Sequence, residues 1–269
     1  MYGRKLVYLD NAATTQRPIS VMELQRKLQE EENGNIHRAV HHLASLATDR
    51  FEQTRSDMAS FIGAASPSEI IFTSSDTAAI NLVASTFGKT VVGEGDEVIV
   101  SIAEHHSDFV PWQMLCKRKK AVLKILDVNE SGELDIDNLS NLISERTALV
   151  AVCHISNVLG LVNPVGKIIQ IAHSKGVPVL VDGAQAVSHI KVDVQSLDAD
   201  FYTFSGHKMY AATGTGVLYG KKKWLEMMPP YMTGGEMVGT VTVDDTTFAP
   251  VPHKFEAGTQ NFNAVPTLS

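Results

Sequence analysis

The stretch Asp200-FYTFSGHKMYAATGTGVLY-Gly220 decides how this chain folds. Ala199, Phe201, Tyr202, Thr203 and Phe204 form an apolar run that reads as a strand. Ser205-Gly206-His207 breaks it and presents Lys208 on a loop at the strand's carboxyl end, where a rigid scaffold holds reactive groups. Taken alone, a lysine in such a place more often caps a solvated edge than does chemistry.

The context lies upstream. Val177-Pro178-Val179-Leu180-Val181 is almost continuously apolar, as expected of a strand buried on both faces of a parallel sheet, and it stops at Asp182-Gly183-Ala184-Gln185. An acid at a strand's carboxyl end faces the ligand crevice of an open α/β sheet. A strand-end carboxylate, a short connection, a second strand and a lysine are the parts needed to hold pyridoxal 5'-phosphate (PLP). The lysine bonds covalently to the aldehyde, and the carboxylate keeps the pyridine nitrogen protonated so that the ring serves as an electron sink.

Further blocks occur in order: YLDNAATTQRP from Tyr8, IHRAVHHLASLAT from Ile36, EHHSDFVPWQ from Glu104, HISNVLGLVNP from His154, SGHKMY from Ser205 and FEAGTQN from Phe255. With VLVDGAQAVSHIKVDVQSLDADFYTFSGHKMY from Val179, they make residues Leu6 to Ser269 resemble the group II, SUF-system cysteine desulfurases of the class V aminotransferase superfamily. The resemblance implies an α/β fold, three-layer α/β/α with a mostly parallel sheet, which is the large domain of PLP-dependent fold type I and occupies residues 1–269. It implies conversion of L-cysteine to L-alanine with an enzyme-bound persulfide that supplies iron–sulfur cluster assembly through a sulfur-acceptor protein. Selenocysteine lyases share the scaffold and are the alternative within the enzyme class.

Residue by residue, the resemblance gives Lys208 the covalent bond to the cofactor and places His105 over the pyridine ring for proton transfer. Asp182 meets the pyridine nitrogen, Gln185 the phenolic oxygen, and Thr77, Ser205 and His207 the phosphate. Asn157 contacts the substrate, and His37 and Arg38 lie near the active-site mouth at a dimer interface. Thr259 reaches the phosphate of the partner subunit, which implies a homodimer. Four departures from the family's pattern stand out: Ser75-Asp76-Thr77 for Gly-Thr-Thr, Asp108 for asparagine, Ala211-Ala212 for Gly-Pro, and Gln260 for proline. The first has the sharpest consequence, because an aspartate is a good N-cap while its charge repels a phosphate held at the same helix end.

Relatives also carry an additional N-terminal helix, which makes segment 1–20 a shortened start, and a small C-terminal domain supplying the persulfide-forming cysteine and a carboxylate-anchoring arginine. That domain is expected to be absent here, which leaves a non-catalytic, PLP-binding or dimerising remnant as the reading from a different class.

Bulk properties agree with a soluble globular chain. It has 269 residues, 44% hydrophobic and 20% charged, with no long apolar segment, so no membrane span is expected. A net charge of −7 argues against a nucleic-acid surface, and the basic runs Lys117–Lys120 and Lys221–Lys223 read as solvated helix ends. The N-terminus lacks a secretory pattern, and with only Cys116 and Cys153 a reducing cytoplasm is expected, both thiols being structural. His37, Arg38, His41 and His42 have no accompanying cysteine or carboxylate set, so no metal site is expected. Leu6–Leu9, Ile70–Phe72, Glu97–Ser101 and Leu149–Cys153 read as further strands, with helices from Pro18, before Leu43, after Ser75, from Pro111 and from Pro164.

Overall fold

Seven strands make the central sheet: β1 (Ile70–Thr73), β2 (Glu97–Ser101), β3 (Val122–Leu126), β4 (Thr147–Cys153), β5 (Val179–Asp182), β6 (Phe201–Ser205) and β7 (Gly216–Gly220). Their spatial order is β1-β7-β6-β5-β4-β2-β3. Within it β7 pairs antiparallel with both neighbours, and every other adjacent pair runs parallel. The structure, a computed structural model, describes residues 3–37 and 40–269.

The apolar runs become central strands because both faces of the sheet are covered. Along β5, Val179 and Val181 enter one core with Phe51, Met58, Ile168 and Ile169, whereas Leu180 enters the other with Ile80, Trp112 and Leu115. The helices His42–Phe61 and Val165–Ser174 therefore cover one face, and Asp76–Val83 and His106–Lys119 the other, which is the expected three-layer arrangement. Each such aliphatic side chain contributes about 1.5–3 kcal/mol on burial.

Boundary errors are informative. Leu6–Leu9 was expected to be a strand; it forms none, and Leu6, Val7 and Leu9 are exposed. What orders the next residues is hydrogen bonding: Thr15 N–H and both threonine hydroxyls of Thr14 and Thr15 donate to the His207 carbonyl, so the segment straps across the loop after β6. The helix expected from Pro111 starts at His106, with His105 as its N-cap. Ser75, not Asp76, caps the helix Asp76–Val83, its hydroxyl accepting from Ala78 N–H.

One glycine is forced by close packing. A Cβ on Gly216 would sit 2.4 Å from the Ser75 carbonyl carbon, so β7 can lie against the start of the helix Asp76–Val83 only without a side chain. That contact sets the helix N-terminus beside the end of β6.

Candidate active site

A cleft of about 490 Å³ opens where β4, β5 and β6 end. Cys153, Ile155 and Asn157 enter it after β4, Asp182, Ala184 and Gln185 after β5, and Ser205, His207 and Lys208 after β6. Ser75, Asp76 and Thr77 close one end, His105 and Ser107 a side, and Asp10, Ala12 and Ala13 of the N-terminal strap the mouth. This gathering at strand carboxyl ends is what a parallel sheet imposes.

Asp182 is buried, and its Oδ1 accepts from Ala184 N–H at 2.8 Å. Burial pushes its pKa up, against which the Ala184 N–H and then the Lys208 charge favour the carboxylate. His105 Nδ1 faces the Ser107 N–H at 3.1 Å and the Ser107 hydroxyl at 3.0 Å. Accepting there places the imidazole proton on Nε2. Burial and then the Lys208 charge lower the His105 pKa, so the ring is neutral in the absence of an added charge.

The end bearing Thr77, Ser205 and His207 is built for an anion. The Thr77 and Ser107 hydroxyls meet at 2.7 Å, Ser205 Oγ accepts from Asp76 N–H at 2.8 Å with its own proton left over, and His207 Nδ1 lies 3.1 Å from Thr14 Oγ1. These donors cluster at the positive end of a helix, an arrangement suited to phosphate. Gln185 Nε2 donates to the Ala12 carbonyl at 2.7 Å, pinning the strap over the cleft.

Asp76 is the exception in this set. It is 6% exposed, and Oδ1 has no hydrogen-bond partner. Burial, then the Asp182 charge, push its pKa well up, and the neighbouring Thr203 Oγ1 is likewise buried without a partner. A carboxyl so placed is biased toward its protonated form, which weakens the repulsion that an ionised aspartate would exert on a phosphate. The residues therefore fit PLP: an aldehyde-reactive lysine, a carboxylate for the ring nitrogen, and neutral donors for the phosphate.

Both cysteines are poor nucleophiles. Burial raises the Cys116 thiol to about 11, and burial with the charges of Glu104 and Asp182 holds the Cys153 thiol higher still. Next to Cys153, Glu104 Oε1 accepts from the Ser101 hydroxyl and from Cys153 N–H at 2.8 Å. Burial raises the Glu104 pKa to about 7.

Two expected site residues fall elsewhere in this chain. Thr259 lines a separate cavity of about 540 Å³ behind the β1 connection, with Thr73, Ser74 and Gln260. His37 lies in a third hollow with His253 and Glu256. Arg38 is outside the described residues. Ligand atoms of His37, Glu52 and His253 lie within 4.8 Å of one another, but Arg55 engages both Glu52 oxygens, and its charge opposes a cation there. Sequence reasoning missed Arg55 and Glu256, which form a buried ion pair that carries the segment before Thr259; only the FEAGTQN block hinted at Glu256.

Residues 7–269 match the aminotransferase class-V family, and the chain belongs to it. Members of that family depend in general on PLP. Among its relatives is the cysteine desulfurase of Cronobacter sakazakii, 49% identical over 267 residues, or 99% of this chain and 66% of that protein. A probable cysteine desulfurase of Halalkalibacterium halodurans is 50% identical over 96% of this chain and 63% of its own length. Among solved structures, the cysteine desulfurase CsdA of Escherichia coli superposes with a TM-score of 0.91 at 42% identity, and the apo cysteine desulfurase of Thermococcus onnurineus with 0.93 at 36%. Each of these alignments covers 97% of this chain and 65% of the solved one. The chain thus spans slightly less than two thirds of the length of the relatives it matches. Among the described residues, no helix is long and apolar enough to cross a membrane.

Proposed function

We propose that this chain is the cofactor-binding part of a PLP-dependent cysteine desulfurase acting on L-cysteine. The observation that carries this reading is the convergence of Lys208, Asp182 and His105, from three separate strand ends, on one cleft whose far end presents Thr77, Ser205 and His207. When bound, PLP supplies an electron sink conjugated to the carbon that loses a proton.

The protein's own residues do the rest. Lys208 holds the cofactor covalently. Asp182 keeps a proton on the ring nitrogen, for which a buried carboxylate beside few other donors is the natural partner. His105 stands over the cleft with Nδ1 tied to Ser107, so its Nε2 is the atom that exchanges a proton with the substrate. Thr77, Ser205 and His207 take the phosphate, Gln185 the phenolic oxygen, and Asn157 the substrate. The EHH and SGHK blocks favour a desulfurase over an ordinary transaminase, the resemblance of the whole chain extends to the SUF-system group II branch with its sulfur-acceptor partner, and the position of Thr259 away from the cleft agrees with a homodimer in which it serves the neighbouring site. Sulfur release needs a thiolate, and Cys116 and Cys153 are held as thiols.

Titrating the PLP-loaded chain with L-cysteine tests the assignment. The reading expects a saturable change in the cofactor's visible spectrum that is lost in His105→Ala. A spectrum that responds equally to any amino acid would contradict it, and a stronger response to L-selenocysteine would assign the chain to the selenocysteine lyases.

A further inference from the structure

Asp108 stands where the family's usual residue is asparagine, and its surroundings explain the exchange. It is fully buried in the first turn of the helix His106–Lys119, with Oδ1 accepting from Trp112 Nε1–H at 2.8 Å. Its Oδ2 is buried and finds no conventional donor, and Glu104 Oε2 is in the same position. Both orphaned oxygens belong to one buried acidic cluster, in which the two side chains act on each other's proton. Two carboxylates cannot bond to each other; an acid and a carboxylate can. The other oxygen of Glu104 already accepts from the Ser101 hydroxyl and Cys153 N–H, so Glu104 is set up as acceptor.

We propose that Asp108 and Glu104 share one proton, Asp108 donating as a carboxylic acid in place of an asparagine N–H, and that this bond positions the loop bearing His105. Glu104 ties that loop to the ends of β2 and β4; Asp108 ties it to the helix that follows; His105 lies between them. Asp108 is a positioning residue. The titratable groups facing the pair are Asp182, Asp76 and Cys153, with Trp112 completing the enclosure. Burial, with the Glu104 and Asp182 charges, pushes the Asp108 pKa up, consistent with a retained proton. The shared proton stands apart from the proposed chemistry, whereas its purpose in holding His105 rests on that reading.

The sign follows from linkage. A folded-state pKa raised above the unfolded value means that the folded chain binds the extra proton, so stability falls as pH rises above the unfolded carboxylate range. Asp108→Asn keeps the donor and removes the titration. The ratio of its folding constant to that of the wild-type chain should grow by up to about tenfold per pH unit upward from pH ~4. The terms from Asp76 and Asp182 are common to both proteins and largely cancel, whereas Glu104 titrates with Asp108 as one pair and belongs to the measured difference. Denaturant unfolding of the cofactor-free chain across pH reads this directly. Parallel stability–pH curves would overturn the shared proton. Carboxyl-carbon NMR of Asp108 in the wild-type chain needs no variant: a protonated shift at neutral pH supports it, an ionised one overturns it. For the positioning role, the imidazole titration of His105 should be retained in Asp108→Asn and displaced in Asp108→Leu. An unchanged titration in both variants would overturn that role.

Discussion

Arg55 and Glu256, 201 positions apart, meet in a two-pronged ion pair at 2.7 and 2.8 Å, and each side chain is only 2% exposed. Arg55 also donates to the Ile70 carbonyl, and Glu256 Oε1 accepts from Phe72 N–H, so the pair bolts the C-terminal segment to β1 and to the helix His42–Phe61. Opposite charge stabilises both partners against the cost of burial: Arg55 is held even more firmly protonated than usual.

Removing Arg55 leaves Glu256 charged and buried, whereas removing Glu256 leaves Arg55 still paired with Glu52. Arg55→Met is therefore expected to destabilise the chain by about 3–5 kcal/mol, measured by urea unfolding, whereas Arg55→Met with Glu256→Leu together should cost much less. A loss under about 1 kcal/mol for Arg55→Met would show the pair to be dispensable.

The pair also marks where sequence reading stops. Apolar runs ending in Asp182 and Lys208 made the sheet and cleft legible, because a strand buried on both faces has to be apolar and its reactive residues have to follow its end. Nothing local pairs Arg55 with Glu256. The choice of cap between Ser75 and Asp76 has the same origin: both residue types cap helices well, and the fold selects Ser75, with the Asp76 N–H taken by Ser205 Oγ. Leu6–Leu9 was misread as a strand because its apolar pattern is real but, among the described residues, no strand lies beside it.

His154 gives an acid-side prediction. It is buried, 2.9 Å from the Tyr202 hydroxyl, and burial lowers its pKa to about 4. The unfolded chain therefore binds the proton first, so stability is lost as pH falls from the ordinary histidine range toward 4. His154→Gln should flatten that limb by roughly 2 kcal/mol, read from urea midpoints between pH 7 and 4. An unchanged limb would mean that His154 is already accessible to protons.

Asp76 gives the opposite dependence at the cofactor. While protonated it tolerates a phosphate; once ionised it repels one by on the order of 1–4 kcal/mol at about 4 Å. Its raised pKa means that PLP affinity should fall as pH rises, and Asp76→Asn should abolish that fall. Equilibrium dialysis of PLP against both proteins across pH would check this, and identical profiles would remove Asp76 from the phosphate's surroundings.

Gly216→Ala tests how the cleft is assembled. The added methyl meets Ser75 backbone atoms at 2.4–2.7 Å, which no side-chain rotation relieves, so the helix start has to move. Overpacking of this kind costs typically about 1–3 kcal/mol. Because the displaced element carries Thr77 and Asp76, PLP affinity should drop more than stability does; equal losses would place the strain elsewhere.

The most direct test of the whole account is to add PLP to the purified chain, record the visible spectrum, reduce with borohydride and map the peptides. The account predicts a visible cofactor band and a pyridoxyl group fixed on Lys208, with neither in Lys208→Ala. No band, or label spread over surface lysines such as Lys117 and Lys222, would contradict it.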